Sequence, residues 1–102
     1  MTKIFVDSNG HTVPIFEIQG TQSVAYTDTA GAIGTAVAAG VRLVRVWCTT
    51  NAFVVTGAAP VADTADMPIT GLVAEYIPVE EGDKVSAVQV TANGTLYVTE
   101  LL

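Results

Sequence analysis

The stretch VRLVRVWCT, residues Val41–Thr49, is the segment that most strongly indicates the fold. β-Branched and aromatic side chains dominate it, and these residue types pack well on a pleated sheet. Its apolar residues fall on both sides of the pleat, which predicts a central strand or a strand with one side against another subunit. Arg42 and Arg45 cannot share a face of a regular strand because their spacing is odd, so a bulge between them stays open.

The residue types on either side of this segment also favour strands. The chain contains sixteen Val and fourteen Thr in 102 residues, and its turn signals recur at short intervals, which is typical of a β-sandwich or barrel. We predict a single all-β domain, an antiparallel β-sandwich spanning residues 1–102 with about eight or nine strands. The predicted strands cover Lys3–Asp7, Thr12–Gln19, Gln22–Thr27, Val41–Thr49, Ala52–Thr56, Leu72–Val79, Lys84–Val90 and Thr95–Leu101.

Three segments are less regular. Residues 28–39 are rich in Ala and Gly, and we expect a loop with a short strand there. A helix is the alternative, although Gly31 and Gly34 would each destabilise it by about 1 kcal/mol. Pro14 has no N–H to donate, so its strand should lie at a sheet edge or carry a bulge. The segment Gly57–Thr70 contains two prolines and is predicted to be a long connection.

Charge and apolar content restrict the possible partners. Ten Asp and Glu stand against four Lys and Arg, for a net charge of −6. Phosphate backbones and anionic membrane surfaces attract clustered cations, so we expect neither nucleic acid nor a membrane as partner. The first residues reach Asp7 after only three apolar residues, so no signal peptide is expected. Because half the residues are apolar, part of the apolar surface is expected to face another protein.

The residues that could perform chemistry do not form a recognisable set. A nucleophile–base pair would have to join Cys48, in a predicted strand, to His11, in a predicted tight turn. Asp63 and Asp66 could contribute to a calcium site, but they lack the spaced series of oxygen ligands. The acidic cluster Glu80–Asp83 flanks a glycine and fits a solvated turn. We therefore predict that the protein is not an enzyme and has no cofactor and no metal.

The second half of the chain, residues 41–102, carries a recognisable pattern. It includes NAFVVTGAAPVA at 51–62, AEYIPV at 74–79, GDKVSAV at 82–88 and GTLYVTEL at 94–101. This pattern resembles that of small structural proteins of tailed phages, which are similar to capsid decoration, or cement, proteins. The resemblance implies a jelly-roll-like β-sandwich that is made in the host cytoplasm and placed on the capsid exterior of the virion. It also implies that the partner is the major capsid protein and that the protein is a homo-oligomer, either a dimer or a trimer.

Three regions are predicted to make the partner contacts, with ordinary core packing as the alternative for each. They are the N-terminal hairpin, the connection Ala58–Thr70 and the C-terminal end, whose apolar residues we expect to be exposed. The candidate contact residues are Ile4, Phe5, Ile15, Phe16, Met67, Ile69, Leu101 and Leu102.

Two other binding functions are alternatives at this point. A head-fibre or tail-associated module that binds a host or a glycan would need exposed aromatic residues backed by polar groups. Trp47, Tyr26, Tyr76 and Tyr97 could supply them, although a strand aromatic is by default a core residue. A neck, or head–tail connector, component is the other alternative.

Overall fold

The structure is a computed structural model that describes residues 2–6 and 12–102, with side chains from residue 17 onward. The described residues contain no helix, so the helix alternative for residues 28–39 is wrong and a loop with a short strand is confirmed. The ten strands are β1 (Thr2–Val6), β2 (Thr12–Phe16), β3 (Ile18–Tyr26), β4 (Gly31–Ala32), β5 (Leu43–Cys48), β6 (Ala52–Gly57), β7 (Met67–Ile69), β8 (Glu75–Pro78), β9 (Lys84–Gln89) and β10 (Gly94–Leu101).

Eight of these strands form two antiparallel four-stranded sheets, in the orders β3-β10-β5-β8 and β4-β9-β6-β7. The pairs are nested along the chain: β3 pairs with β10, β4 with β9, β5 with β8 and β6 with β7. Successive pairs alternate between the two sheets, so the chain resembles one long hairpin folded over itself. The predicted all-β antiparallel sandwich is confirmed. β1 and β2 form a separate two-stranded sheet, in which Pro14 occupies the edge position expected of it.

β5 is the central strand that the sequence predicts, because it lies between β10 and β8. Its register with β10 is continuous, and Arg42 precedes the strand, so no bulge separates Arg42 from Arg45. Alternate side chains of β5 are fully buried in the core, namely Val44, Val46 and Cys48. The other three point away from the core and are half-buried, namely Leu43, Arg45 and Trp47.

Tyr26, at the end of β3, connects two turns of the sandwich. Its hydroxyl donates to the Thr50 carbonyl at 2.8 Å and accepts from the Thr50 N–H at 3.2 Å. The Thr50 hydroxyl in turn donates to the Ala92 carbonyl at 3.1 Å. Gly94 begins β10 directly against this group, and a methyl group there would collide with the hydroxyls of Tyr26 and Thr50. The glycine in the predicted Asn93–Gly94 turn is therefore required by close packing.

Two elements differ from the sequence prediction. β3 starts at Ile18 and runs through Gly20, whereas the sequence predicts that Gly20 separates two strands. The glycine continues in strand conformation and has open space around it. β7 lies inside the predicted connection Gly57–Thr70. Its Ile69 is buried opposite Ala52 of β6, but a three-residue strand containing a proline is too short to show a periodic pattern.

Candidate partner-binding face

The outward side of the β3-β10-β5-β8 sheet, hereafter the outer face, is the most distinctive surface of the described protein. Cross-strand register places Tyr97 opposite Trp47, and Arg45 between Thr99 and Tyr76. The ring centroids of Trp47 and Tyr97 are 5.6 Å apart, with planes inclined by 54°. The outer face thus gathers aromatic side chains from three adjacent strands.

The large apolar side chains of the outer face are exposed. Ile18 is 73% exposed, Tyr76 60% and Tyr97 37%, while Trp47 and Leu43 are half-buried between them. An apolar area of this kind on the surface of a protein is typical of an interaction site.

The opposite sheet does not leave its outward side open. The connection after β6 passes over it, and the Ala62 N–H donates to the Ser86 hydroxyl of β9 at 3.0 Å. Ala62 is only 5% exposed, and Val88 of β9 is 8% exposed although it does not belong to the main core cluster. The chain therefore covers the outward side of one sheet and exposes apolar residues on that of the other.

An open hollow of about 520 Å³ lies on the outer face, between β3 and β8. Arg45 forms part of its wall together with Tyr76 and the hydroxyl-bearing Thr21 and Thr99, whose hydroxyls hydrogen-bond to each other at 2.9 Å. A guanidinium beside a ring and two hydroxyls can bind a carboxylate or another polar group on an otherwise apolar partner.

The structure separates the predicted contact residues. Met67 is exposed, whereas Ile69 is buried in the core, as the core-packing alternative requires. Leu101 is also buried, but it lies on the outward side of the sheet, opposite Leu43, and lines the hollow of the outer face. Leu102 packs against the core, and its backbone hydrogen-bonds with that of Glu17 in both directions. The expectation of an exposed C-terminal apolar end is therefore wrong for Leu101, because it lies between Ile18 and Leu43 in the sheet. The remaining candidates, Ile4, Phe5, Ile15 and Phe16, lie in β1 and β2, and their side chains fall outside the described part of the structure.

The residues considered for metal binding hold their own loops in place. The Asp63 N–H donates to the Asp66 carboxylate at 2.8 Å, and the Ala65 N–H donates to that of Asp63 at 2.9 Å. Among the described residues, no three His, Cys, Asp or Glu side chains are placed to share a metal ion. The acidic turn at Glu80–Asp83 lines a hollow of about 830 Å³ beside Arg42, and Asp83 accepts the Glu80 N–H at 3.0 Å within the turn.

Cys48 is buried beneath the outer face. Burial raises the pKa of its thiol to about 11, outweighing the smaller, lowering effect of the Tyr26 hydroxyl. The thiol is therefore protonated near neutral pH, and a protonated thiol is a poor nucleophile. His11, the other candidate for catalysis, lies outside the described residues.

The raised pKa of Cys48 predicts a loss of stability in alkaline solution. The thiol ionises near pH 9 in the unfolded chain but near pH 11 in the native protein, so its stabilising effect is complete below pH 9 and declines above it. At pH 10 the free energy of unfolding should have fallen by roughly 1 kcal/mol through this group. Urea unfolding of the wild type and of Cys48→Ala between pH 8 and pH 10 would measure this fall in the free energy of unfolding. The difference between the two proteins should change with pH, and a constant difference would contradict the assignment.

No helix in the described part of the chain has the length and hydrophobicity needed to cross a membrane. Comparison with known protein families, with curated proteins and with solved structures finds no match to this chain.

Proposed function

We propose that the protein is a capsid decoration, or cement, protein. In this function it binds the outside of a phage head and stabilises the contacts between major capsid subunits. The single observation that carries the proposal is the outer face, where Trp47, Tyr76 and Tyr97 lie together on one sheet. Aromatic residues and Arg are the side chains that most often dominate the binding energy of protein interfaces.

The strand order also supports the proposal. Nested pairs that alternate between two four-stranded sheets support the jelly-roll-like arrangement that we propose. Jelly rolls recur in viral capsid proteins and in lectins. Because one fold serves many functions, the strand order adds weight only alongside the exposed face.

The charge distribution fits attachment to a particle. The chain has a net charge of −6, yet the charged residue of the hollow on the outer face is the cation Arg45. A capsid surface with apolar groups around a carboxylate would complement this face. The acidic remainder would keep neighbouring copies on a crowded particle from aggregating.

Tyr76 offers the most direct test of the proposal. Tyr76→Ser should weaken binding to phage heads at least about tenfold, because an exposed aromatic at the centre of an interface commonly contributes more than 1.4 kcal/mol. Phage heads that lack this protein would be titrated with the purified variant. Heads saturated with the wild type should also survive heating that bursts undecorated heads.

The matched control is Val90→Ser. Val90 is 41% exposed, and it follows β9 of the opposite sheet, outside the connection Ala58–Thr70. This variant should bind heads as the wild type does. Equal binding by all three proteins would refute attachment through the outer face, and failure of the wild type to bind heads would refute the decoration function. A single ring of copies on each particle would indicate the neck alternative.

A glycan-binding module is the second candidate, and one specific observation favours it. The hollow places Tyr76 beside the hydroxyls of Thr21 and Thr99 and the guanidinium of Arg45, and sugars bind to aromatic rings bordered by polar groups. Isolated protein would be applied to a glycan array, with Tyr76→Ser as the comparison. Specific binding that the substitution removes, together with no affinity for heads, would favour this function over decoration.

A further inference from the structure

The charges around the hollow of the outer face are unbalanced. Arg45 lines the hollow, is half-buried and makes no hydrogen bond or ion pair with any residue that the structure describes. Each neighbouring strand contains one carboxylate, Glu75 in β8 and Glu100 in β10. They lie opposite Val46 and Val44, respectively, whose side chains face the core. The register therefore directs both carboxylates to the side of the sheet away from Arg45.

Arg45 is also the one cation of this face in the part of the chain whose side chains are described. Arg42 borders the other hollow, beside the acidic turn, and Lys84 lies in β9 of the opposite sheet. A half-buried guanidinium has lost part of its hydration, and hydrogen bonds to an anion replace that hydration best. Charge complementarity at the hollow therefore requires an acidic group from outside the chain.

The polar groups beside Arg45 are donors as well. The hydroxyls of Thr21 and Thr99 hydrogen-bond to each other at 2.9 Å, which uses one of their two hydrogens and leaves the other for a ligand. A guanidinium fork with a nearby hydroxyl donor matches the two oxygens of a carboxylate. The side chains that line the hollow include no carboxylate or amide to accept hydrogen bonds from the hydroxyls of a sugar. The lining therefore favours an acidic group of a protein over a glycan.

We propose that the hollow binds the carboxylate of an Asp or Glu side chain on the partner protein. Arg45 pairs with the carboxylate, and the apolar neighbours of that residue pack on Ile18 and Tyr76, which are 73% and 60% exposed. The proposal rests on the decoration function for the identity of the partner. Recognition of the carboxylate itself can be measured without a phage particle, so the two proposals can fail separately.

Two blocked peptides test the recognition of the carboxylate. Acetyl-Leu-Glu-Leu-amide and acetyl-Leu-Gln-Leu-amide differ only in the charged group, and each would be titrated into the isotope-labelled full chain. The backbone amide NMR signals of β5 and β10 would report binding. The Glu peptide should bind with a Kd in the millimolar range, about tenfold more tightly than the Gln peptide. Equal affinities, or no binding of the Glu peptide up to about 50 mM, would overturn the proposal.

Substitutions at the two arginines locate the recognition. Arg45→Gln should abolish the preference for the Glu peptide, and Arg45→Lys should keep part of it, because an ammonium is a point charge without the planar fork. Arg42→Gln, the same change beside the other hollow, is the matched control and should keep the full preference. A preference that survives in Arg45→Gln, or that Arg42→Gln also removes, would contradict the assignment.

Near-UV circular dichroism from the stacked pair of Trp47 and Tyr97 would show whether each variant keeps its fold. If Arg45→Gln does not fold, Arg45→Met takes its place, because it keeps a long unbranched side chain without the charge.

Phage heads separate this proposal from the decoration function. Arg45→Gln should weaken binding to heads by about tenfold or more, whereas Arg42→Gln should bind as the wild type does. Heads that bind both variants equally well would overturn the carboxylate site and leave the decoration function in place. A wild type that prefers the Glu peptide but has no affinity for heads would keep the site and refute decoration.

Glucuronate is the probe for an acidic glycan, since it carries a carboxylate on a sugar ring. It should bind more weakly than the Glu peptide, because its hydroxyls find donors in the hollow and its ring offers little apolar surface to Ile18. Tighter binding of glucuronate than of the Glu peptide would assign the hollow to an acidic glycan and overturn the proposal.

Discussion

Replacing Leu96 with Ala should lower the free energy of unfolding by about 3–4 kcal/mol. Leu96 is fully buried in the first half of β10, between Val24 of β3 and Cys48 of β5. The substitution removes apolar contacts and leaves a cavity that neighbouring strands, held by their hydrogen bonds, cannot fill. A small domain has only about 5–15 kcal/mol of stability, so the variant should unfold at a much lower urea concentration. Trp47 fluorescence would follow the transition.

Leu72→Ala is the matched control for this experiment. Leu72 is 64% exposed, so the same change of side chain should alter the free energy of unfolding by less than about 0.5 kcal/mol. If Leu72→Ala and Leu96→Ala lowered the free energy of unfolding equally, Leu96 would not be a core residue as the structure has it.

Gly94→Ala should destabilise the protein by about 3 kcal/mol although it adds only one methyl group. That methyl would collide with the Tyr26 and Thr50 hydroxyls, and Tyr26, at 1% exposed, has no room to move aside. Overpacking of this kind costs roughly 1–3 kcal/mol, and weakening the hydrogen bonds between Tyr26 and Thr50 adds about 1 kcal/mol. Thermal unfolding monitored by circular dichroism would measure the loss.

Gly34→Ala provides the control, because no atom lies within 4 Å of the added methyl group. Removing a glycine from the unfolded ensemble should leave stability unchanged or raise it by up to about 1 kcal/mol. If Gly34→Ala and Gly94→Ala behaved alike, close packing at Gly94 would not explain the glycine there.

Much of the fold could be predicted because its strands carry a strong local signal. The β-branched run at Val41–Thr49 indicated a central strand, and β5 is one. β7 could not be predicted in this way, because its strand conformation depends on pairing with β6. β6 lies outside the short stretch of sequence around β7 in which a periodic pattern would be sought. The prediction of a turn at Gly20 is wrong for a related reason. A glycine marks a turn only where the backbone bends, and pairing with the long strand β10 keeps the backbone extended there.

The candidate face was only partly predictable. Apolar residues on both sides of Val41–Thr49 predict either a central strand or one side facing another subunit, and Leu43 and Trp47 lie on the outward side. The sequence could not show that Tyr76 and Tyr97 lie near Arg45 and Trp47, because three separate strands bring them together. Leu101 was expected at the surface because of its position near the C-terminus. Its place in the sheet, between Ile18 and Leu43, buries it.

The nested pairing of strands sets when the chain can fold during synthesis. β10 lies between β3 and β5, and the hydroxyl contact between Thr21 and Thr99 joins residues 78 positions apart. A ribosome that has not yet released β10 therefore holds a chain whose first sheet lacks one of its two middle strands. Two of the six strand pairings of the sandwich, β3 with β10 and β10 with β5, must wait for that strand. The nascent protein therefore depends on a late, long-range closure, and proteins of such high contact order fold slowly.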